Sequence, residues 1–152
     1  TQTNGGQIAK DIVAGGLKAK LMVPDGCFET AFIEAVGKEN LEEREFITFG
    51  GVPGSKLEGK GREFYENYMK RYNAEPEAYA VYGYEATKVV LDSIRRAGKK
   101  DRLAIIEALA ATRDFEGALG TWSFDSNGDT TLNTMSGNTV RGGRFEFVQI
   151  LG

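Results

Sequence analysis

From Gly50 to Gly61 the chain runs GGVPGSKLEGKG, a stretch whose glycines and proline cannot carry a regular strand or a helix interior. It reads as a connector, and it divides the chain into two bodies of structure. Ahead of it, Ile8 and Ile12 with Ala9 beside them give a helical face that Gly15-Gly16 stops. The opening TQTN runs straight into that pattern and reads as a cut. Leu21-Met22-Val23, closed by Pro24-Asp25-Gly26, then predicts a short buried strand ending in a turn. Ala31, Phe32, Ala35 and Val36 predict a helix ended by Gly37, and Glu45 to Phe49 a second strand. Strand, helix and strand on connections this short argue an α/β fold with a parallel sheet.

Beyond the connector, Phe64, Tyr65, Tyr68, Met69 and Tyr72 predict one apolar helical face. A second helix carries Tyr79, Tyr82, Ala86, Val89 and Val90, with Pro76 suited to its first turn. Asp101 is the expected N-cap of a third, with Leu103, Ile106 and Leu109 facing inward. Strands are expected at Gly120 to Phe124, Thr130 to Val140 and Arg144 to Ile150, with Asn127-Gly128 and Gly142-Gly143 as hairpin turns.

Composition narrows the chemistry. The chain has no His, so a Ser-His-Asp triad, a Cys-His dyad and a His-ligated zinc are excluded, and a single cysteine, Cys27, closes no internal disulfide. With Lys+Arg 19 against Asp+Glu 22 there is no basic excess for a phosphate backbone, so nucleic acid is not an expected partner. No apolar run approaches the ~20 residues of a membrane span, and the opening segment has no signal-peptide core.

Several motifs carry possible chemistry. Gly54 to Gly61 follows a strand and precedes a helix as a phosphate loop would, but Gly61 stands where a hydroxyl should hold magnesium and Glu58 adds a negative charge, so a connector is the expected reading. Asp125-Ser-Asn-Gly-Asp129 begins like a calcium loop, yet the glycine comes too early and Ser136 stands where the closing Glu belongs. Asp25 follows the first strand at its carboxyl end, where open α/β sheets place their ligand crevice; it either shapes its Asp-Gly turn or meets a cationic group such as an ammonium. Tyr79, Tyr82 and Tyr84 are core or pocket, and Cys27, with no base beside it, is a small apolar filler.

The segments GGQIAKDIVAGGLKAKLMVPDGCF, EFITFGGVPG, EAYAVYGYEA and LGTWSFDSNGDTT, taken in this order, resemble the carboxyl-terminal half of the type I periplasmic binding proteins for branched-chain amino acids, the receptors of ABC importers. The resemblance spans essentially the whole chain. It implies two parallel-sheet, Rossmann-like α/β lobes that close on an amino acid and dock on a membrane permease. Residues 1–49 and 141–152 would belong to the second lobe, 50–53 and 135–140 to hinge crossovers, and 54–134 to the first lobe. The amino-terminal half of the receptor, with the groups that hold the ligand's carboxylate, would be the missing partner. By the resemblance, Asp25 binds the ligand's ammonium, in place of the Glu of many relatives, and Gly26 borders it. Thr1 falls where some members place a contacting Tyr, and Tyr79, with Tyr82 as a second candidate, lines the pocket. No cofactor and no catalysis are implied, and the setting is periplasmic or extracellular. Two other readings stand beside this one: a ligand-sensing domain of the same fold in a receptor or regulator, and a small nucleotide hydrolase using Gly54–Gly61.

Overall fold

The structure is a computed structural model and describes residues 2–151. Its elements are α1 (Gln2–Ala14), β1 (Leu21–Val23), α2 (Thr30–Val36), α3 (Lys38–Leu41), β2 (Glu45–Gly50), α4 (Gly59–Tyr72), α5 (Ala80–Ala97), α6 (Arg102–Ala110), β3 (Phe115–Gly117), β4 (Gly120–Trp122), β5 (Met135–Arg141) and β6 (Arg144–Leu151). They fall into two compact units. The described residues up to Val52, with those from Thr134 onward, form the first, and Pro53–Asn133 form the second.

The first unit is built on a mixed sheet in the order β1-β2-β5-β6. β1 and β2 run parallel, with Leu21 opposite Glu45 and Val23 opposite Ile47. The parallel pairing expected from strand-helix-strand order is therefore present, and it is confined to this pair. β5 joins β2 antiparallel, and β6 returns antiparallel beside β5 through Gly142-Gly143. Both of these glycines have positive φ, as a two-residue hairpin of type I′ requires at both central positions. β1 is an edge strand, and only Val23 of it is buried while Met22 is 66% exposed, so the expected buried strand is half correct. The core lies on the face of Ile47, Phe49 and Val140, under Phe28, Phe32, Ile33, Val36 and Leu41. Each such side chain contributes on the order of 2 kcal/mol by leaving water.

Helix faces in this unit are shifted from the expected ones. In α2 the buried set is Phe32, Ile33 and Val36, with Ala31 and Ala35 exposed; in α1 Ala9 is buried while Ile8 is exposed. The reason is close approach. A Cβ on Gly5 would lie 2.4 Å from Cys27 Sγ, so α1 lies with its glycines against the chain below it rather than with its isoleucines.

The second unit joins α4, α5 and α6 to the two-stranded β3-β4 hairpin. Val81, Glu85, Val89 and Ser93 form the buried stripe of α5, and Trp122, Ala118 and Leu57 complete the core. α5 starts at Ala80, later than Pro76 suggests, because Glu77 to Ala80 close a separate tight turn through Ala80 N–H to Glu77 O at 2.9 Å. Asp101 is the N-cap of α6, accepting from Ala104 N–H at 2.8 Å. Leu103 and Ile106 do not face inward. They are 65% and 53% exposed, and α6 rests on α5 through half-buried residues such as Ala104, Ile105 and Leu109. Of the expected strand from Thr130, only an isolated bridge to Phe124 forms before β5 begins at Met135.

Candidate functional site

Pro24, with extended backbone, ends β1 and admits one 3-10 turn, Asp25–Cys27. Cys27 N–H donates to Pro24 O at 3.0 Å and Phe28 N–H to Asp25 O at 2.8 Å, which closes the turn. Two buried residues fasten it from below. Cys27 is 1% exposed and seated against Gly5 of α1, and the Phe28 ring packs 4.7 Å from Phe49 and 4.4 Å from Phe145. Asp25 is left exposed above this anchor, its Oδ1 accepting from Gly26 N–H at 2.9 Å, and Gly26 is half-buried beside it. The result is a carboxylate held on a short, pinned turn at the carboxyl end of a parallel strand. Such a group can receive a cation without first paying to order a loop. Burial pushes the Cys27 thiol up, away from the thiolate a nucleophile needs, in keeping with a filler.

In the second unit Tyr79 caps the start of α5 and Tyr82 lies in its first turn. Both are half-buried, with ring centroids 6.3 Å apart. Tyr84 takes another direction: it packs 4.8 Å from Phe64 and, with Tyr68, Tyr72 and Phe115, walls a cavity of about 590 Å³ between α4, α5 and β3. Asp25 and Gly26 thus share one turn of the first unit, and Tyr79 and Tyr82 share one helix end of the second. Thr1 lies outside the described residues.

The other motifs resolve into structural roles. Lys60 of the glycine-rich stretch donates to Glu116 O at 2.8 Å and pairs with Glu116 Oε2 at 3.2 Å, while a Cβ on Gly61 would lie 2.3 Å from Ala118 O. This segment packs on β3 and forms no open cradle for phosphates. Asp125 Oδ1 accepts from the N–H groups of Asn127 at 2.8 Å and Asp129 at 2.9 Å, and these bonds hold its carboxyl below the ordinary range. Among the described residues no cluster of three or more His, Cys, Asp or Glu could hold a metal.

Two acidic residues escaped the sequence reading. Glu85, 3% exposed, accepts from Ala118 N–H at 2.7 Å, Leu119 N–H at 3.3 Å and Trp122 Nε1 at 2.7 Å. Glu45 is buried in β2. Each stands at a position where the local apolar alternation or stripe calls for a hydrophobe, and that interruption is the only signal the sequence held.

The Leu/Ile/Val-binding protein homolog 1 of Brucella suis biovar 1 (strain 1330) is 28% identical over 130 residues, which cover 84% of this chain and 33% of that protein. The solved leucine binding protein LivK of Thermotoga maritima MSB8 is 30% identical with a TM-score of 0.87, over 99% of this chain and 42% of that one. The branched-chain amino acid transporter substrate binding protein LivJ of Streptococcus pneumoniae str. Canada MDR_19A, solved with isoleucine, is 25% identical with a TM-score of 0.84, again over 99% and 42%. The chain therefore spans well under half the length of these relatives. Residues 1–144 match the periplasmic binding protein family, and the chain belongs to it.

Proposed function

We propose that this chain forms part of an extracytoplasmic solute-binding receptor for branched-chain or related amino acids, one that delivers its ligand to the permease of an ABC importer and makes or breaks no bond. The observation that carries the reading is Asp25, exposed on a turn pinned by Cys27 and Phe28 at the end of β1. In the complete receptor its carboxylate accepts the ligand's α-ammonium beside Gly26, while Tyr79 and Tyr82 supply aromatic wall from the first lobe. The first unit would contribute to the second lobe, the second unit to the first lobe, with the hinge crossovers near residues 50–53 and 135–140. The exposed Leu103 and Ile106 on α6, and Val90, Leu91 and Ile94 on α5, support a longer receptor whose amino-terminal half covers these faces. A periplasmic or extracellular setting follows from the same reading.

Calorimetric titration of leucine, isoleucine and valine into the full-length receptor tests it. Asp25→Ala is expected to weaken binding by about thirtyfold or more, because an ammonium enclosed without its carboxylate keeps its desolvation cost. Asp25→Glu should retain most of the affinity. Unchanged affinity in Asp25→Ala would reduce Asp25 to a turn former, and no binding of any of the three amino acids by the native receptor would overturn the ligand class.

A further inference from the structure

β2 opens with an ionisable side chain buried on the same face as its apolar residues. Glu45, Ile47 and Phe49 alternate onto the core side of the strand, and Glu45 is 3% exposed. Its Oε1 has no hydrogen-bond partner, and among the described residues the other buried side-chain atom left in that state is Asn138 Oδ1 on β5. The two belong to one patch. Ile47 stands opposite Asn138, so Glu45, two residues earlier on the same face, is the diagonal neighbour of Asn138. Asn138 spends its donor group on Ile47 O at 3.4 Å and Ser136 Oγ at 3.1 Å, which leaves its carbonyl oxygen bare. An ionised Glu45 offers only acceptors and would deepen the shortage of donors, whereas a protonated one brings an O–H.

We propose that Glu45 is a neutral carboxylic acid in the folded first unit, its proton serving the donor-poor patch shared with Asn138, so that this unit is stabilised by taking up a proton and weakened by losing it. The surroundings favour the neutral form. Burial raises the Glu45 pKa to about 7, with Arg44 pulling the other way. Arg44 is itself engaged, donating to Ala19 O at 3.0 Å and to Leu17 O. On the turn after β1, Cys27 is a neutral thiol and Asp25 is exposed. Lys10 and Asp11 on α1, Glu34 on α2, Lys38 and Glu39 on α3, Arg141 on β5 and Arg144 and Glu146 on β6 are all exposed to solvent.

The sign follows from linkage. The folded value near 7 lies above the ordinary 4.5, so the stabilisation is complete below about 4.5, declines as pH rises, and is gone above about 7. Thermal unfolding of this chain between pH 5 and pH 8, with Glu45→Gln alongside, reads it directly. Glutamine keeps the shape, supplies donors and never ionises. From pH 5 to pH 8 the native chain is expected to lose ~5–10 °C of Tm relative to Glu45→Gln. Parallel curves for the two proteins would overturn the proposal. Should the variant not fold, a carbon-13 titration of the native Glu45 carboxyl decides the matter: a midpoint near neutrality supports the proposal, and one near 4.5 ends it.

Discussion

Glu85 and Asp25 are both acidic and have opposite legibility. Asp25 sits in a Pro-Asp-Gly turn, and local turn chemistry alone places it at the end of a strand. Glu85 was not legible, because its depth depends on a hairpin more than thirty residues away that turns two backbone N–H groups and the Trp122 indole toward it. Sequence periodicity put Ala86 and Val90 on the apolar face of α5, where the buried stripe is Val81, Glu85, Val89 and Ser93, and it holds no record of which donors arrive from elsewhere to make a carboxylate acceptable there. Glu85→Ala would strand all three donors in the core, and the expected loss is about 3 kcal/mol of unfolding free energy. Urea unfolding followed by the fluorescence of Trp122, the single tryptophan, measures it. A loss below about 1 kcal/mol would mean that water replaces the carboxylate at little cost.

At the scale of elements, signals confined to a few neighbouring residues were readable: the Asp101 cap, the Gly142-Gly143 turn, and the ends of α1 and α2 at glycine. What could not be read was which side of a helix meets its neighbour. α1 is the clearest case, since Ile8 and Ile12 advertise one face while Gly5 determines the approach. Here the absence of a side chain is the packing feature, and hydrophobic periodicity does not register an absence. Gly5→Ala would drive a methyl group into Cys27 Sγ and lift α1 from the turn that carries Asp25, at an expected cost of about 1–3 kcal/mol. Cys27→Ala removes the obstructing sulfur. The double variant Gly5→Ala with Cys27→Ala should therefore lose less stability than the two single losses added together, in chemical denaturation of all four proteins. Additive losses would show that the Gly5 to Cys27 contact does not hold the helix in place.

A stretch of glycines marks the first boundary between the two units, at Val52 and Pro53, whereas the return of the chain at Thr134 and the order of strands in the first unit carry no such mark, because β5 comes from the far end of the chain to pair with β2 and brings β6 in beside it. Each unit has its own apolar core: Phe32, Ile47, Phe49 and Val140 in one, Leu57, Val81, Val89 and Trp122 in the other. Chance has placed a natural reporter in each. The single cysteine, buried, is Cys27 of the first unit, and the single tryptophan is Trp122 of the second. A core change acts on stability through the contacts and hydrogen bonds it removes, so a lesion in one core should register first with the reporter in that core. In Glu85→Ala the urea midpoint of Trp122 fluorescence should fall, while the urea dependence of Cys27 labelling by a thiol reagent stays where it is in the native chain. If the two midpoints fall together, the units unfold as one cooperative body, and the separate cores are a feature of packing rather than of stability.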